Sequence, residues 1–273
     1  MLIVAIGGGI VLDAAKYASL KNSIPLILVP TIVSTGAIIH SVFAKWEGFS
    51  TVGSVETWPW LDALHVIIDY SVTRKAPSQL NTAGLGDILC SQAGISEWGY
   101  SSKMDLAPIV DPSLTQPVRN QRDWIVNHFP ATLDRNGGLT SQSIKFIMEC
   151  IQQRDSNSIK SPYAPGSDHL FWQCVESTNN RGWVHGGGVA LSSVIIAWHC
   201  DEGLNQLTKD LDACKVSWRP TQLGLSKNHL QLSLSAAPKF FSDKDNGRDM
   251  KSILRDNPIL GNRFEKLWDF LTL

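Results

Sequence analysis

Three consecutive glycines, Gly7 to Gly9, lie between a short apolar run and a segment with helical spacing. The run Leu2 to Ile6 predicts a strand, and IVLDAAKYASLK after the glycines predicts a helix. Such a turn lets backbone N–H groups approach phosphate oxygens, and the helix dipole favours their charge. No GK[ST] follows, and the GxGxxG spacing is missing. The cluster therefore indicates either a phosphate-binding turn or a tight turn that backbone geometry requires.

Two further apolar runs complete an α/β pattern. Ile24 to Thr31 is almost continuously aliphatic, which is typical of a strand inside a parallel sheet, and Ala63 to Asp69 predicts another strand. Between them, from Gly36 to about Trp60, the pattern is broken and rich in aromatic residues. We therefore predict an incomplete Rossmann-like parallel sheet over residues 1–77.

The character of the sequence changes after Pro77. We interpret Gly84, Leu85 and Gly86 as a turn that places Asp87 at the start of a helix. Helices are predicted over 141–154, 167–178, 185–200, 202–214 and 248–273. The stretch from Lys103 to Gly138 contains four prolines and is interpreted as a long connection or insertion. The predicted domains are residues 1–77, a partial dinucleotide-binding domain, and residues 78–273, an all-α metal- and substrate-binding domain.

Composition narrows the classes of partner. The net charge is −1 and 43% of the residues are hydrophobic, so no basic stripe indicates nucleic acid and the chain can build a substantial core. No apolar run approaches the about 20 residues of a membrane span, and five scattered cysteines suit a reducing compartment. We expect a cytoplasmic protein that takes a small-molecule substrate, without nucleic-acid or membrane partners.

Asp87, His169 and His185 form the most informative set of polar residues. Taken singly, Asp87 suits a helix N-cap and a lone histidine is most often a structural residue. Together, one carboxylate and two imidazoles with a fourth position open make a plausible catalytic site for a divalent metal. The other histidines show no paired spacing, and the ten tryptophans fit packing or pocket walls equally well.

The order of the motifs resembles the iron-containing alcohol dehydrogenase and dehydroquinate synthase superfamily. The segments AIGGGIVLDAAK, LVPTIVSTG, AGLGD, SDHLF and VHGGGVALSSVIIAWH follow one another with approximately its spacing. The glycerol-1-phosphate dehydrogenase branch is the most similar, and PTIVST is also similar to glycerol dehydrogenase. The resemblance implies a dehydroquinate synthase-like fold.

The resemblance also implies a set of functional residues. Asp87, His169 and His185 would hold zinc, with iron, nickel or manganese as alternatives, and would act in catalysis through that metal. The predicted contacts with NAD or NADP are Gly7, Gly8, Gly9, Asp13, Thr31 and Ser34. The metal would polarise a substrate hydroxyl or carbonyl while hydride passes to or from the nicotinamide.

Several positions depart from the family pattern. Gly36 and His40 replace an aspartate and a serine of the polyol pocket, Gln173 replaces a histidine, and Gly187 replaces a glutamate. Gly36, His40 and Gln173 are therefore the candidates for an altered substrate pocket. The sequence also begins at the glycine-turn strand, where the family has a preceding α/β segment. We expect either a truncated product or a second chain that covers the apolar strand edge.

Three functions remain open at this stage. The first is a metal-dependent NAD(P) oxidoreductase of a small alcohol or ketone other than glycerol 1-phosphate, which lacks the polyol contacts and acts as a homodimer. The second is a cyclase or lyase of the dehydroquinate synthase kind, which uses the same metal and dinucleotide. The third is a degenerate paralogue that binds a partner or metabolite without catalysis.

Overall fold

The computed structural model describes residues 1–39, 46–47, 50–51, 63–156, 167–243 and 252–273. Its first unit is strand β1 (Ile3–Gly7), helix α1 (Gly9–Asn22) and strand β2 (Leu26–Pro30). Strands β3 (Trp46–Glu47) and β4 (Ser50–Thr51) pair as an antiparallel ribbon, and β5 (His65–Val66) follows. The main sheet is parallel, in the order β1-β2-β5. The βαβ unit that the glycine cluster predicts is therefore present.

Strand β1 presents apolar side chains to solvent. In β2, Leu26 and Leu28 are buried, and Leu28 lies opposite Val66 of β5. In β1, by contrast, Val4 is 52% exposed and Ile6 is 63% exposed. Within the described part of the chain β1 is a terminal strand of the sheet, as the sequence predicts.

Helices make up the rest of the described chain. A 3-10 helix spans Gly36–Ile38, and a second spans Phe129–Thr132. The α-helices after the sheet are α2 (Tyr70–Thr73), α3 (Ser78–Leu89), α4 (Ser91–Lys103), α5 (Pro112–His128), α6 (Ser141–Ser156), α7 (Ser167–Asn179), α8 (His185–Cys200), α9 (Leu204–Ala213), α10 (Pro220–Leu223), α11 (Lys227–Phe241), α12 (Ile253–Asp256) and α13 (Asn262–Thr272). None of the described helices has the length and apolar character needed to cross a membrane.

Helix α8 lies at the centre of the helical part. Nearly all of its residues are buried, and it packs against α3, α7 and α4. Because a helix that is apolar all round must be buried, its composition accounts for this position. The fold class, an α/β part followed by an all-α part, is confirmed. The domain boundary at residues 77 and 78 stays a prediction, although Pro77 does precede the first turn of α3.

Three sequence interpretations were wrong. Gly84 and Gly86 lie inside α3, so they do not form a turn, and Asp87 lies in the last turn of a helix and not at an N-cap. The stretch 103–138 contains the helix α5, in which Asp111 caps the first turn and Pro112 occupies a position where proline is tolerated. Helix α11 was missed, since Pro238 and interior serines obscure its buried face.

Candidate metal and cofactor site

Asp87, His169 and His185 converge at the ends of three helices. Asp87 lies at the end of α3, His169 in the first turn of α7 and His185 at the first residue of α8. The Nε2 atoms of His169 and His185 lie 3.0 Å and 3.8 Å from Oδ1 of Asp87. The two imidazole centroids are 5.4 Å apart. Side chains that are distant in sequence therefore face one point in space.

Small residues allow this approach. A Cβ on Gly86 would lie 2.6 Å from the carbonyl oxygen of Gly186, and one on Gly186 would lie 1.9 Å from that of Ala83. Any larger residue would push α3 away from the first turn of α8. Because His185 starts α8 and Asp87 follows Gly86, the close contact also sets the separation of the two candidate ligands.

Asp168 supports His169 from behind. The Nδ1–H of His169 donates to Oδ1 of Asp168 over 2.8 Å, and the Ser193 hydroxyl lies 3.3 Å from Oδ2. A histidine that ligates a metal usually donates its other ring N–H to such a carboxylate, which fixes the tautomer and the ring orientation. Burial lowers the pKa of His169, but Asp168, Asp87 and Cys90 outweigh it, so the pKa lies well above its usual value.

The donor set fits a divalent cation of the zinc type. It offers a carboxylate and two imidazoles, the ligand types that zinc accepts in catalytic sites. The side chain of Asp87 is 6% exposed, whereas those of His169 and His185 are 20% and 33% exposed. The site is therefore closed at the carboxylate and open on the side of the histidines.

Cys90 also belongs to this cluster. Its sulfur, a carboxylate oxygen of Asp87 and a ring nitrogen of His169 all lie within 4.8 Å of one another. Cys90 follows α3 directly and is 3% exposed. Sequence reasoning missed it because it looked only for paired cysteines.

The glycine turn carries the predicted contacts with the dinucleotide phosphates. Gly8 is the N-cap of α1 in an extended conformation, with no side-chain cap. The first N–H groups of a helix have no acceptor within the helix, so this end of α1 can receive phosphate oxygens. Thr31 donates its N–H to Gly7, which places the end of β2 beside the turn. Ser34 follows on the same loop and is buried.

Asp13 lies on α1 and is buried. Its carboxylate is 4% exposed and lies 3.7 Å from Nζ of Lys16, which is 1% exposed. Lys16 also donates to the carbonyl of Ala37. Burial lowers the pKa of Lys16 to about 8, although Asp13 opposes that shift. In this structure Asp13 is therefore the ion-pair partner of Lys16, and its contact with pyrophosphate stays a prediction.

The loop after β2 is joined directly to α3. The N–H of Val33 donates to Oδ1 of Asn81 over 2.9 Å, and Asn81 in turn donates to the Thr73 carbonyl. A Cβ on Gly84 would lie 2.3 Å from the Val33 carbonyl oxygen. The helix that carries Asp87 in its last turn therefore also holds the loop that carries the predicted cofactor contacts.

Comparison with known proteins supports the same family. The family model described as iron-containing alcohol dehydrogenase matches residues 1–77. Glycerol-1-phosphate dehydrogenase [NAD(P)+] of Saccharolobus solfataricus is 27% identical over 239 residues, which are 86% of this chain and 66% of that protein. Residues 1–77 are thus similar to the iron-containing alcohol dehydrogenase family, and a longer stretch of the chain is similar to glycerol-1-phosphate dehydrogenases. The chain spans just under two thirds of the length of that relative.

Several solved structures share the fold of this chain. Glycerol dehydrogenase of Schizosaccharomyces pombe superposes with a TM-score of 0.67 and 16% identity, covering 100% of this chain and 70% of that one. The 2-epi-5-epi-valiolone synthase of Streptomyces hygroscopicus, with NAD+ and Zn2+ bound, gives 0.60 and 14%, covering 99% and 73%. At these identities the likeness supports the dehydroquinate synthase-like fold alone.

The remaining predicted positions are partly placed. Gln173 lies on α7, one turn after His169, and is partly buried. Gly36 begins a 3-10 helix capped by Thr35. His40 lies outside the described residues. Gly187 is held by packing, since a Cβ there would lie 2.6 Å from the Ser217 carbonyl oxygen. A glutamate could not replace it without moving that segment.

Sequence reasoning also missed the residues that position the ligands. Asp168 was visible beside His169, and a carboxylate next to a candidate ligand was a usable signal. Asn81 carried no such signal. Glu97 is buried on α4, where it accepts hydrogen bonds from Ser167 and from the N–H of Ile253. Glu97 thereby fixes the start of α7.

Proposed function

We propose that this chain is a metal-dependent NAD(P)-linked oxidoreductase of a small alcohol or ketone. The observation that carries the proposal is the convergence of Asp87, His169 and His185, of which Asp87 and His169 are 82 positions apart. When bound, the cation would act as a Lewis acid on the substrate oxygen, and the nicotinamide would accept or donate hydride. The names of the relatives, which include NAD(P)-dependent dehydrogenases, agree with this reaction class.

The residues of the chain would prepare the site in three ways. Asp168 keeps a proton on Nδ1 of His169, so that the lone pair of Nε2 is available to the cation. The close packing of Gly86 on Gly186 fixes the positions of the two helix ends. The end of α1 would receive the dinucleotide phosphates through backbone N–H groups.

The substrate is proposed to differ from glycerol 1-phosphate. Gln173 and Gly187 cannot carry a proton as histidine and glutamate do. Gly36 offers no side chain for a polyol hydroxyl. We therefore expect a substrate that needs few polar contacts beyond the one with the metal. The cytoplasmic location and the homodimer also remain part of the proposal.

Nicotinamide absorbance under turnover tests the function. Protein loaded with zinc would be mixed with NAD or NADP and a panel of small alcohols, glycerol 1-phosphate included, and separately with NADH or NADPH and a panel of small ketones. Reduced nicotinamide should accumulate with alcohols and disappear with ketones. A double variant, Asp87→Ala with His169→Ala, should lose both metal and turnover. Equal metal content in the variant and the unchanged protein would refute the site.

The alternatives give different results in the same experiment. The valiolone synthase that shares the fold makes a cyclase worth testing. A cyclase would consume its substrate without net change in nicotinamide absorbance. A non-catalytic paralogue would bind metal but would show neither turnover nor binding of the dinucleotide.

A further inference from the structure

Cys90 offers a donor atom that the proposed three-ligand site does not use. It lies one helical turn beyond Asp87, and its thiol donates to the main-chain carbonyl of Asp87 over 2.9 Å. This bond turns the sulfur back toward the end of α3, where the carboxylate also lies. The hydrogen bond at the end of α3 therefore helps to keep the Cys90 sulfur within 4.8 Å of the ligand atoms of Asp87 and His169.

The separations are close to those of one coordination sphere. Zinc binds cysteine sulfur at about 2.3 Å and histidine nitrogen at about 2.0–2.1 Å. Two donors on one tetrahedral ion therefore lie roughly 3–4 Å apart, which is within the 4.8 Å limit of this cluster. The sulfur is buried with Asp87, on the closed side of the site. Small rotations of the side chains would bring these donors onto a shared ion.

We infer that Cys90 is a fourth protein ligand of the ion that Asp87, His169 and His185 hold. The inference rests on the proposed metal centre and adds to it. As the metal–sulfur bond forms, the S–H proton passes to solvent and the thiolate supplies the electron pair. A soft thiolate selects zinc or another thiophilic ion over magnesium and manganese. The ion that these four residues would hold could still accept a substrate oxygen from the open side of the histidines.

Cobalt(II) absorption tests the assignment without any activity measurement. Metal-free protein would be titrated with cobalt(II), since a cobalt–thiolate bond gives a near-ultraviolet charge-transfer band that oxygen and nitrogen ligands do not give. The unchanged protein should show the band as one equivalent binds. Cys90→Ser should bind cobalt and lose the band.

Cys200→Ser is the matched control. Cys200 ends α8, whereas His185 begins it, so the two residues are roughly 22 Å apart along the helix axis. This variant should keep the full band. If Cys90→Ser does not fold, X-ray absorption of the zinc-loaded unchanged protein decides instead. One sulfur neighbour at about 2.3 Å would support the ligand.

The outcomes separate this inference from the proposed function. One bound cobalt without a charge-transfer band, or zinc without a sulfur neighbour, would overturn the role of Cys90 and leave the three-ligand site intact. A band that persists in Cys90→Ser would overturn it as well. No stoichiometric metal in the unchanged protein would overturn the metal centre and the inference together.

Discussion

Replacing Asp168 should weaken metal binding without removing any ligand. Its carboxylate accepts the Nδ1–H of His169 over 2.8 Å and is 2% exposed, so solvent cannot substitute for it. Loss of such a supporting carboxylate typically costs about 10–100-fold in metal affinity, which corresponds to about 1.4–2.7 kcal/mol. Asp168→Asn keeps an acceptor but loses the charge, so we expect about 10-fold. Asp168→Ala loses both and should approach about 100-fold.

Competition with a chromophoric chelator measures these affinities for zinc. Asp123→Asn is the control, because Asp123 is a half-exposed carboxylate on α5 that pairs with its neighbour Arg122. It should bind zinc as the unchanged protein does. Circular dichroism would establish that all three variants fold. If folded Asp168→Ala bound zinc as tightly as Asp123→Asn, the argument that Asp168 orients His169 would be wrong.

Three other substitutions test the packing and the titration of the fold. Gly186→Ala should destabilise the protein by about 1–3 kcal/mol or more, because its Cβ would lie 1.9 Å from a backbone oxygen. Gly99→Ala is the control and should fold normally, because its Cβ would meet only the flexible end of Glu202. Urea unfolding of both variants would measure the difference. Lys16→Met should lower the free energy of unfolding by about 3–5 kcal/mol, because it leaves the Asp13 carboxylate buried without its cation. A Lys16→Met, Asp13→Leu double variant should regain part of that stability. Equal losses of stability in the two variants would contradict the ion pair. Burial lowers the pKa of His199 from 6.5 to about 4, so the unfolded chain binds more protons in that window and stability falls as the pH drops through it. Relative to the unchanged protein, His199→Gln should be less sensitive to pH between those values, and a parallel pH profile would refute the buried imidazole as the cause.

The sequence identified three polar residues that converge in the structure, but it misread the local structure around one of them. The apolar runs around Gly7 to Gly9 were sufficient for β1, α1 and β2, because strand and helix periodicities differ there. Asp87 was selected as a ligand, but its helix was misread. Gly84 and Gly86 looked like a turn, whereas they serve close helix packing, which depends on a partner that is distant in sequence.

Other features could not be predicted because they depend on tertiary contacts. Asn81 satisfies the backbone of Val33, 48 positions earlier in the chain. Nothing local distinguishes it from a solvent-exposed asparagine. Cys90 lies close to Asp87 and His169 only because the end of α3 lies beside the first turn of α7. The motif order, in contrast, is local information, and it was enough to predict the similarity to iron-containing alcohol dehydrogenases that the comparisons found.

The position of helix α3 should couple the binding of the metal ion to the binding of the dinucleotide in the proposed enzyme. Asn81 of this helix accepts a hydrogen bond from the N–H of Val33 in the loop after β2. Asp87 lies in the last turn of the same helix, about 9 Å further along its axis. A dinucleotide that shifts this loop would therefore also shift α3, the helix that presents the Asp87 carboxylate to the cation. Reciprocity requires that the factor by which metal changes dinucleotide affinity equal the factor by which dinucleotide changes metal affinity. Titrating the metal and the dinucleotide, each with and without the other, would measure that factor. A value of one would mean that α3 does not couple the two binding sites.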